Sequence, residues 1–191
     1  MKIMETVEKY NYSKYAALGE ANTDTRYELI DGVIYLMSPG ASQDHQEISG
    51  GLFWQIRSFL DGKPCKVFHA PFDVCINAKG DDDFTTVQPD ILVVCDKTKL
   101  DGKRCNGAPD LIIEIVSPSY RKHDAQIKFN VYLKAGVREY WIIDPADKTA
   151  QVFILKNDVY TANAYGENDT IPVSVLEGCI IDLKKVFDNI G

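Results

Sequence analysis

Asp110-Leu111-Ile112-Ile113-Glu114-Ile115-Val116-Ser117-Pro118 is the stretch on which the reading of the fold turns. Its aliphatic run, stopped by Ser-Pro, reads as a strand buried on both faces. Strand side chains alternate, so Ile112, Glu114 and Val116 share one face while Ile113 and Ile115 share the other. Glu114 therefore interrupts an apolar face. A charge at such a place is costly unless it is paired or coordinates a metal.

Working outward, Gln88-Pro89-Asp90 opens a second aliphatic run, Ile91-Leu92-Val93-Val94. A carboxylate at the start of a strand reaches the cleft at the strand end. Taken alone, Asp90 is a turn residue and Glu114 the partner of an arginine. Taken together, two acids on neighbouring strands make an oxygen site of the kind Mg²⁺ prefers. Downstream, Asp124, Ile127, Lys128, Val131 and Ala135 fall on one face of a helix, so Lys128 borders the stripe that packs on the sheet. An Asp124–Lys128 surface pair at i, i+4 is the bland reading of that lysine; the strand acids upstream favour a functional one.

Two further residues have paired readings. His45, at a helix start on the stripe of Ile48 and Leu52, orients a phosphate or binds metal, or else packs against the core. Glu28, before the Asp31-Gly32 turn, approaches the cleft or supports the hairpin. Asp73 and His69 have no partner identifiable from sequence. No HExxH, GxSxG, GxxxxGK[ST] or GxGxxG pattern is present, which leaves zinc-peptidase, serine-hydrolase and nucleotide-binding readings without a basis.

The 191 residues fit a single domain, 1–191, with a substantial core. A net charge of −7, from 28 acids and 21 bases, counts against a broad nucleic-acid-binding surface but leaves room for a local one. No apolar run approaches the roughly 18 residues of a membrane span, and the N-terminus has no secretory pattern. The expectation is a cytoplasmic protein with no membrane association. Its five cysteines, never spaced as CxxC, are expected reduced and buried, with no structural zinc site.

Along the chain the patterns predict a helix over 10–19 and a hairpin of 27–30 and 33–37 around Asp31-Gly32, ended by Ser38-Pro39-Gly40. A helix follows from about Gln43 to Leu60, weakened or closely packed at Gly50-Gly51. Strands are expected at 65–68, 72–76, 91–95, 111–116 and 139–143. A helix capped by Ser117-Pro118-Ser119 runs to about Lys134, a second hairpin covers 152–155 and 159–164, and a short helix spans 183–187. Strands flanking helices throughout give an α/β or α+β class with a mixed sheet.

Several ordered segments resemble one family. They are Tyr27-Glu28-Leu29-Ile30-Asp31-Gly32; Ser38-Pro39 followed by His45-Gln46; Gln88-Pro89-Asp90-Ile91; Ala108-Pro109-Asp110 through Ser119; Asp124, Lys128 and Tyr132; and Gly136 through Pro145. In this order, over roughly residues 10 to 160, the chain resembles the Uma-type restriction endonucleases of the PD-(D/E)xK nuclease superfamily. The resemblance implies a restriction-endonuclease-like fold: a mixed central sheet flanked by helices, with metal-binding acids on adjacent strands. Asp90 matches the acid of the Pro-Asp motif and Glu114 the second acid. The superfamily pattern asks for lysine two residues later, where this chain has Val116. Lys128 resembles the lysine relocated to the next helix in parts of the superfamily.

The expected function is Mg²⁺-dependent hydrolysis of DNA phosphodiesters, with Mn²⁺ as a possible substitute. Asp90, Glu114 and the Ile115 carbonyl would hold the metal, Lys128 would orient water or phosphate, and Glu28, His45 and Asp124 would be accessory. A non-catalytic DNA-binding or assembly module with the same fold is the alternative, and a different metal-dependent hydrolase a third reading. Closed two-fold assemblies being commonest, a homodimer is expected.

Overall fold

In the computed structural model, residues 9–22, 24–37, 40–116, 122–188 and 190 are described, with side chains in the third helix from Gln126 onward. The expected Ser117-Pro118-Ser119 cap, the Ser38-Pro39 strand end and the Asp124 side chain lie outside the described residues.

The element order is α1 (Tyr12–Ala21), β1 (Tyr27–Ile30), β2 (Val33–Leu36), α2 (Gln43–Phe59), β3 (Lys66–His69), β4 (Asp73–Cys75), β5 (Thr86–Val87) and β6 (Ile91–Val94). It continues with β7 (Arg104–Asn106), β8 (Leu111–Ile115), α3 (Lys122–Ala135), β9 (Glu139–Asp144), β10 (Thr149–Lys156) and β11 (Val159–Gly166). The chain closes through β12 (Thr170–Pro172), β13 (Ile180–Asp182) and α4 (Leu183–Phe187). Asp31 and Gly32 have φ of 51° and 86°, the positive values that a tight two-residue hairpin needs between the paired Ile30 and Val33.

A mixed sheet of order β11-β10-β9-β8-β6-β3 forms the centre. Its strand β8 runs parallel to β9, with Leu111 opposite Glu139, and antiparallel to β6, with Ile91 opposite Ile113. Beyond the expected sheet there is a second, five-stranded one of order β2-β1-β5-β4-β7. It requires β5 and β7, two- and three-residue strands too short to show alternation in sequence.

Alternation along β8 sorts the core into two clusters, as the period of two requires. Leu111, Ile113 and Ile115 pack with Ile48, Leu52 and Ile56 of α2 and with Leu183 and Val186 of α4. Ile112, on the other face, packs with Ile30, Val74 and Val87 of the second sheet and with Tyr132 of α3. The central sheet is thus covered by helices on one face and by the second sheet plus α3 on the other. Glu114 points to the second face, at the mouth between the two sheets. Helix α2 runs unbroken through Gly50-Gly51.

The cysteine expectation is corrected. Cys65 and Cys95 form a disulfide, while Cys75, Cys105 and Cys179 are free and buried. The register explains the pairing: Lys66 lies opposite Val94, so one step outward brings Cys65 opposite Cys95.

Candidate active site

Four elements bring polar residues to the mouth between the sheets. From β1, Glu28 turns inward on the same face as Ile30. From β8 comes Glu114, and from α3 come Lys128 and Tyr132, one turn apart. Ser42 caps α2 by accepting from the His45 N–H at 3.2 Å, which fixes His45 at the helix start. Asp90 stands just ahead of β6, where the extended register would place it opposite Glu114.

Lys128 Nζ lies 2.9 Å from Glu28 Oε1 and 3.1 Å from Glu114 Oε1. All three residues are buried, with 8%, 6% and 6% of their surface exposed. The surface-pair reading of Lys128 is therefore overturned: the lysine points inward, onto two acids. Tyr132 Oη donates to Glu114 Oε1 at 2.6 Å. Both partners of Glu114 thus use one oxygen, and Oε2 has no protein partner among the described residues.

Asp90 Oδ2 accepts from the Ile115 N–H at 2.7 Å, and Oδ1 lies 3.2 Å from His45 Nε2. The opposite register position to Ile115 is Pro89, which has no N–H to give the ladder. The Ile115 carbonyl, on the same side of the strand as its N–H, is left without its usual donor.

Charge follows from this arrangement. Two carboxylates, Glu28 and Glu114, share one lysine, and Asp90, paired with His45, adds a third negative charge beside Glu114. Burial lifts the Glu114 carboxyl to about 7; the Asp90 and Glu28 charges add to the rise, while Lys128 and the Tyr132 hydroxyl oppose it. Burial alone would lower Lys128, but Glu114 and Glu28 outweigh it and hold the ammonium protonated. The hydrogen bond to Asp90 raises His45 above the usual imidazole range, and burial counters part of the rise.

Hard oxygen donors and a deficit of positive charge are what a divalent cation such as Mg²⁺ requires. Among the described residues, no three His, Cys, Asp or Glu side chains converge to hold a metal unaided. Asp90 and Glu114 would need the Ile115 carbonyl and water to complete a shell, and Mg²⁺ usually keeps several waters.

Of the residues singled out in the sequence, Glu28, Glu114 and Lys128 meet in direct contact, and Asp90 meets His45 beside them. Two participants stand in the segments that carry the family resemblance but were given no role from sequence. Tyr132 lies four residues after Lys128, a spacing that places both on one helix face. Gln88, whose backbone N–H donates to Glu28 Oε1 at 3.1 Å, carries no comparable signal. Asp73 also has partners after all: it accepts from Tyr12, Tyr15 and Gln88.

A family model, Uma2, described as "Putative restriction endonuclease", matches residues 11–184. An uncharacterized protein of Synechocystis sp. is 32% identical over 133 residues, which cover 70% of this chain and 67% of that protein. Among solved structures, the crystal structure of a "putative nuclease belonging to DUF820" from Anabaena variabilis aligns with a TM-score of 0.73 and 21% identity. That alignment covers 93% of this chain and 97% of the other, a likeness of fold. Among the described residues, no helix is long and apolar enough to cross a membrane.

Proposed function

The chain belongs to the Uma2 family, and from that membership and the site's geometry we propose that it is a metal-dependent DNA endonuclease. The observation that carries the proposal is the imbalance at Glu114: it shares one buried lysine with Glu28, the Asp90 carboxylate adds its charge from nearby, and one Glu114 oxygen has no protein partner among the described residues. Asp90 and Glu114, with the Ile115 carbonyl, would hold Mg²⁺, and Mn²⁺ could replace it. Bound there, the cation would lower the pKa of a water and offset charge on the phosphate.

Lys128 gives two of its three N–H groups to Glu28 and Glu114. The third is left for the attacking water or a phosphate oxygen, at a position set by the two acids. Tyr132 keeps Glu114 Oε1 engaged, so that Oε2 would be the oxygen offered to the metal. His45 steadies Asp90 from the opposite side. Asp124 remains a proposed accessory through its place one turn before Lys128.

A second reading is a DNA-binding or assembly module that keeps the fold without turnover. It is favoured by the lack of three convergent metal-ligating side chains among the described residues. We also propose a homodimer, since one small acidic domain has little surface with which to grip both strands; light scattering at micromolar concentration tests it.

Incubating the purified protein with supercoiled, linear and single-stranded DNA, with Mg²⁺, Mn²⁺ or chelator, decides between catalyst and module. Cleavage that needs the cation and disappears in Asp90→Ala supports the nuclease. Binding to DNA without cleavage under every condition supports the module.

A further inference from the structure

A second polar network brings a positive charge to the segment that delivers Asp90 and holds Glu28. Arg26 stands immediately before β1, two residues from Glu28, and is exposed. Its Nε and Nη2 donate to Gln88 Oε1 at 3.4 and 3.1 Å. The other end of that amide donates to Asp73 Oδ1 at 2.8 Å and to the Tyr15 hydroxyl at 3.2 Å. The amide's orientation is therefore determined from both ends, since the carboxylate requires its NH₂ and the guanidinium its oxygen. Gln88 also lies two residues before Asp90. The arginine is thus tied to the segment that delivers Asp90, and its charge is felt at His45.

Among the four arginines with described side chains, three are ion-paired: Arg57 with Asp61, Arg104 with Asp81 and Asp101, and Arg138 with Asp110. Arg26 has no acid within salt-bridge distance among the described residues; its partner is a neutral amide. Of five guanidinium N–H groups, two go to Gln88 and three are left over on an exposed side chain. Lys128 is buried and held by two carboxylates, so its remaining N–H serves the reacting group inside the site and not a phosphate outside it. An exposed planar fork, aimed by a clamped amide and not neutralised by a carboxylate, matches the geometry of a phosphate.

We propose that Arg26 binds a backbone phosphate of the nucleic acid entering the cleft, with Gln88 as the positioning residue that aims it. The inference rests on the nuclease reading. Its test compares wild type with Arg26→Ala, Arg26→Lys and Arg57→Ala, the last removing the same charge from the far end of α2. Anisotropy of a labelled duplex is measured across a salt series with Ca²⁺ in place of Mg²⁺, and cleavage kinetics with Mn²⁺.

Arg26→Ala should weaken DNA binding about tenfold, as for loss of one charged hydrogen bond. The slope of log affinity against log salt should shrink by about 0.9. KM for cleavage should rise more than kcat falls, and Mn²⁺ affinity should stay unchanged. Arg26→Lys should recover the salt slope but only part of the affinity, because the fork is lost; Arg57→Ala should match wild type. If wild type cleaves DNA and Arg26→Ala keeps its slope and KM, the inference is wrong while the nuclease reading stands. An equal loss in Arg57→Ala would reduce the effect to net charge and likewise overturn it. If wild type neither binds nor cleaves DNA, the nuclease reading fails and the inference with it.

Discussion

Glu114 and Glu139 lie on adjacent parallel strands, on opposite faces of one sheet, and both are buried. Glu139 is aligned with Leu111, at the end of β9 away from the cleft. One of its oxygens accepts from the Trp141 indole N–H at 2.8 Å and the other from the Val175 N–H at 3.0 Å. Each oxygen has a neutral donor. Burial raises its pKa, opposed by those hydrogen bonds. Glu114 instead shares a single lysine with Glu28, feels Asp90, and has one oxygen without a protein partner among the described residues. A buried carboxylate satisfied by neutral N–H groups joins parts of the fold together. One that competes with another carboxylate for a single lysine is where the proposed metal ion would bind.

The largest effect that could break this contrast is on cleavage. Asp90→Ala or Glu114→Ala should lower DNA cleavage about 1,000-fold or more, the scale seen when one electrostatic stabiliser is removed. Neither variant should unfold, because each also relieves like-charge repulsion. Single-turnover assays and circular dichroism check both statements.

Glu139→Ala should do the reverse. It leaves the Trp141 and Val175 N–H groups buried without acceptors, at a cost of about 3 kcal/mol in urea unfolding. Residual cleavage per folded molecule should stay at the wild-type level.

The pH dependence sharpens the comparison. Glu114 is raised from 4.5 to about 7 in the fold. A raised carboxyl contributes stability that is fully present below its unfolded value and lost as pH rises through its folded one. The metal-free protein should therefore lose about 3 kcal/mol between roughly pH 4.5 and 7 from this group alone. Thermal unfolding at several pH values should show that slope in wild type, and Glu114→Gln should remove it. Apparent Mg²⁺ affinity should fall up to about tenfold per pH unit below 7, since the proton must leave first.

The smallest effect belongs to Tyr132. Tyr132→Phe removes the hydroxyl donor to Glu114 and should slow cleavage a few-fold, on the order of 1 kcal/mol. Metal affinity should change little.

The contrast between the two glutamates was only half legible in the sequence. Glu114 stood out because it breaks an aliphatic run, and Asp90 because it follows Pro89 at the head of another. The Asp31-Gly32 hairpin, α2 and β8 were readable for the same reason: their signals are local. Glu139 instead read as the first residue of an ordinary strand, because Val175, one of its two partners, lies 36 residues away. Glu28 was known only as a hairpin acid near the cleft. Its contact with Lys128 depends on the second sheet, whose strands β5 and β7 were too short to read. The Cys65–Cys95 pairing likewise depends on the register of β3 against β6, which the chain does not state locally.

Calorimetric titration of Mg²⁺ at pH 8 into wild type, Asp90→Ala, Glu114→Ala and Glu139→Gln tests the central claim most directly. The account predicts saturable binding to wild type and to folded Glu139→Gln, and loss of that binding in both Asp90→Ala and Glu114→Ala. No binding to wild type, or binding that survives in Glu114→Ala, would contradict it.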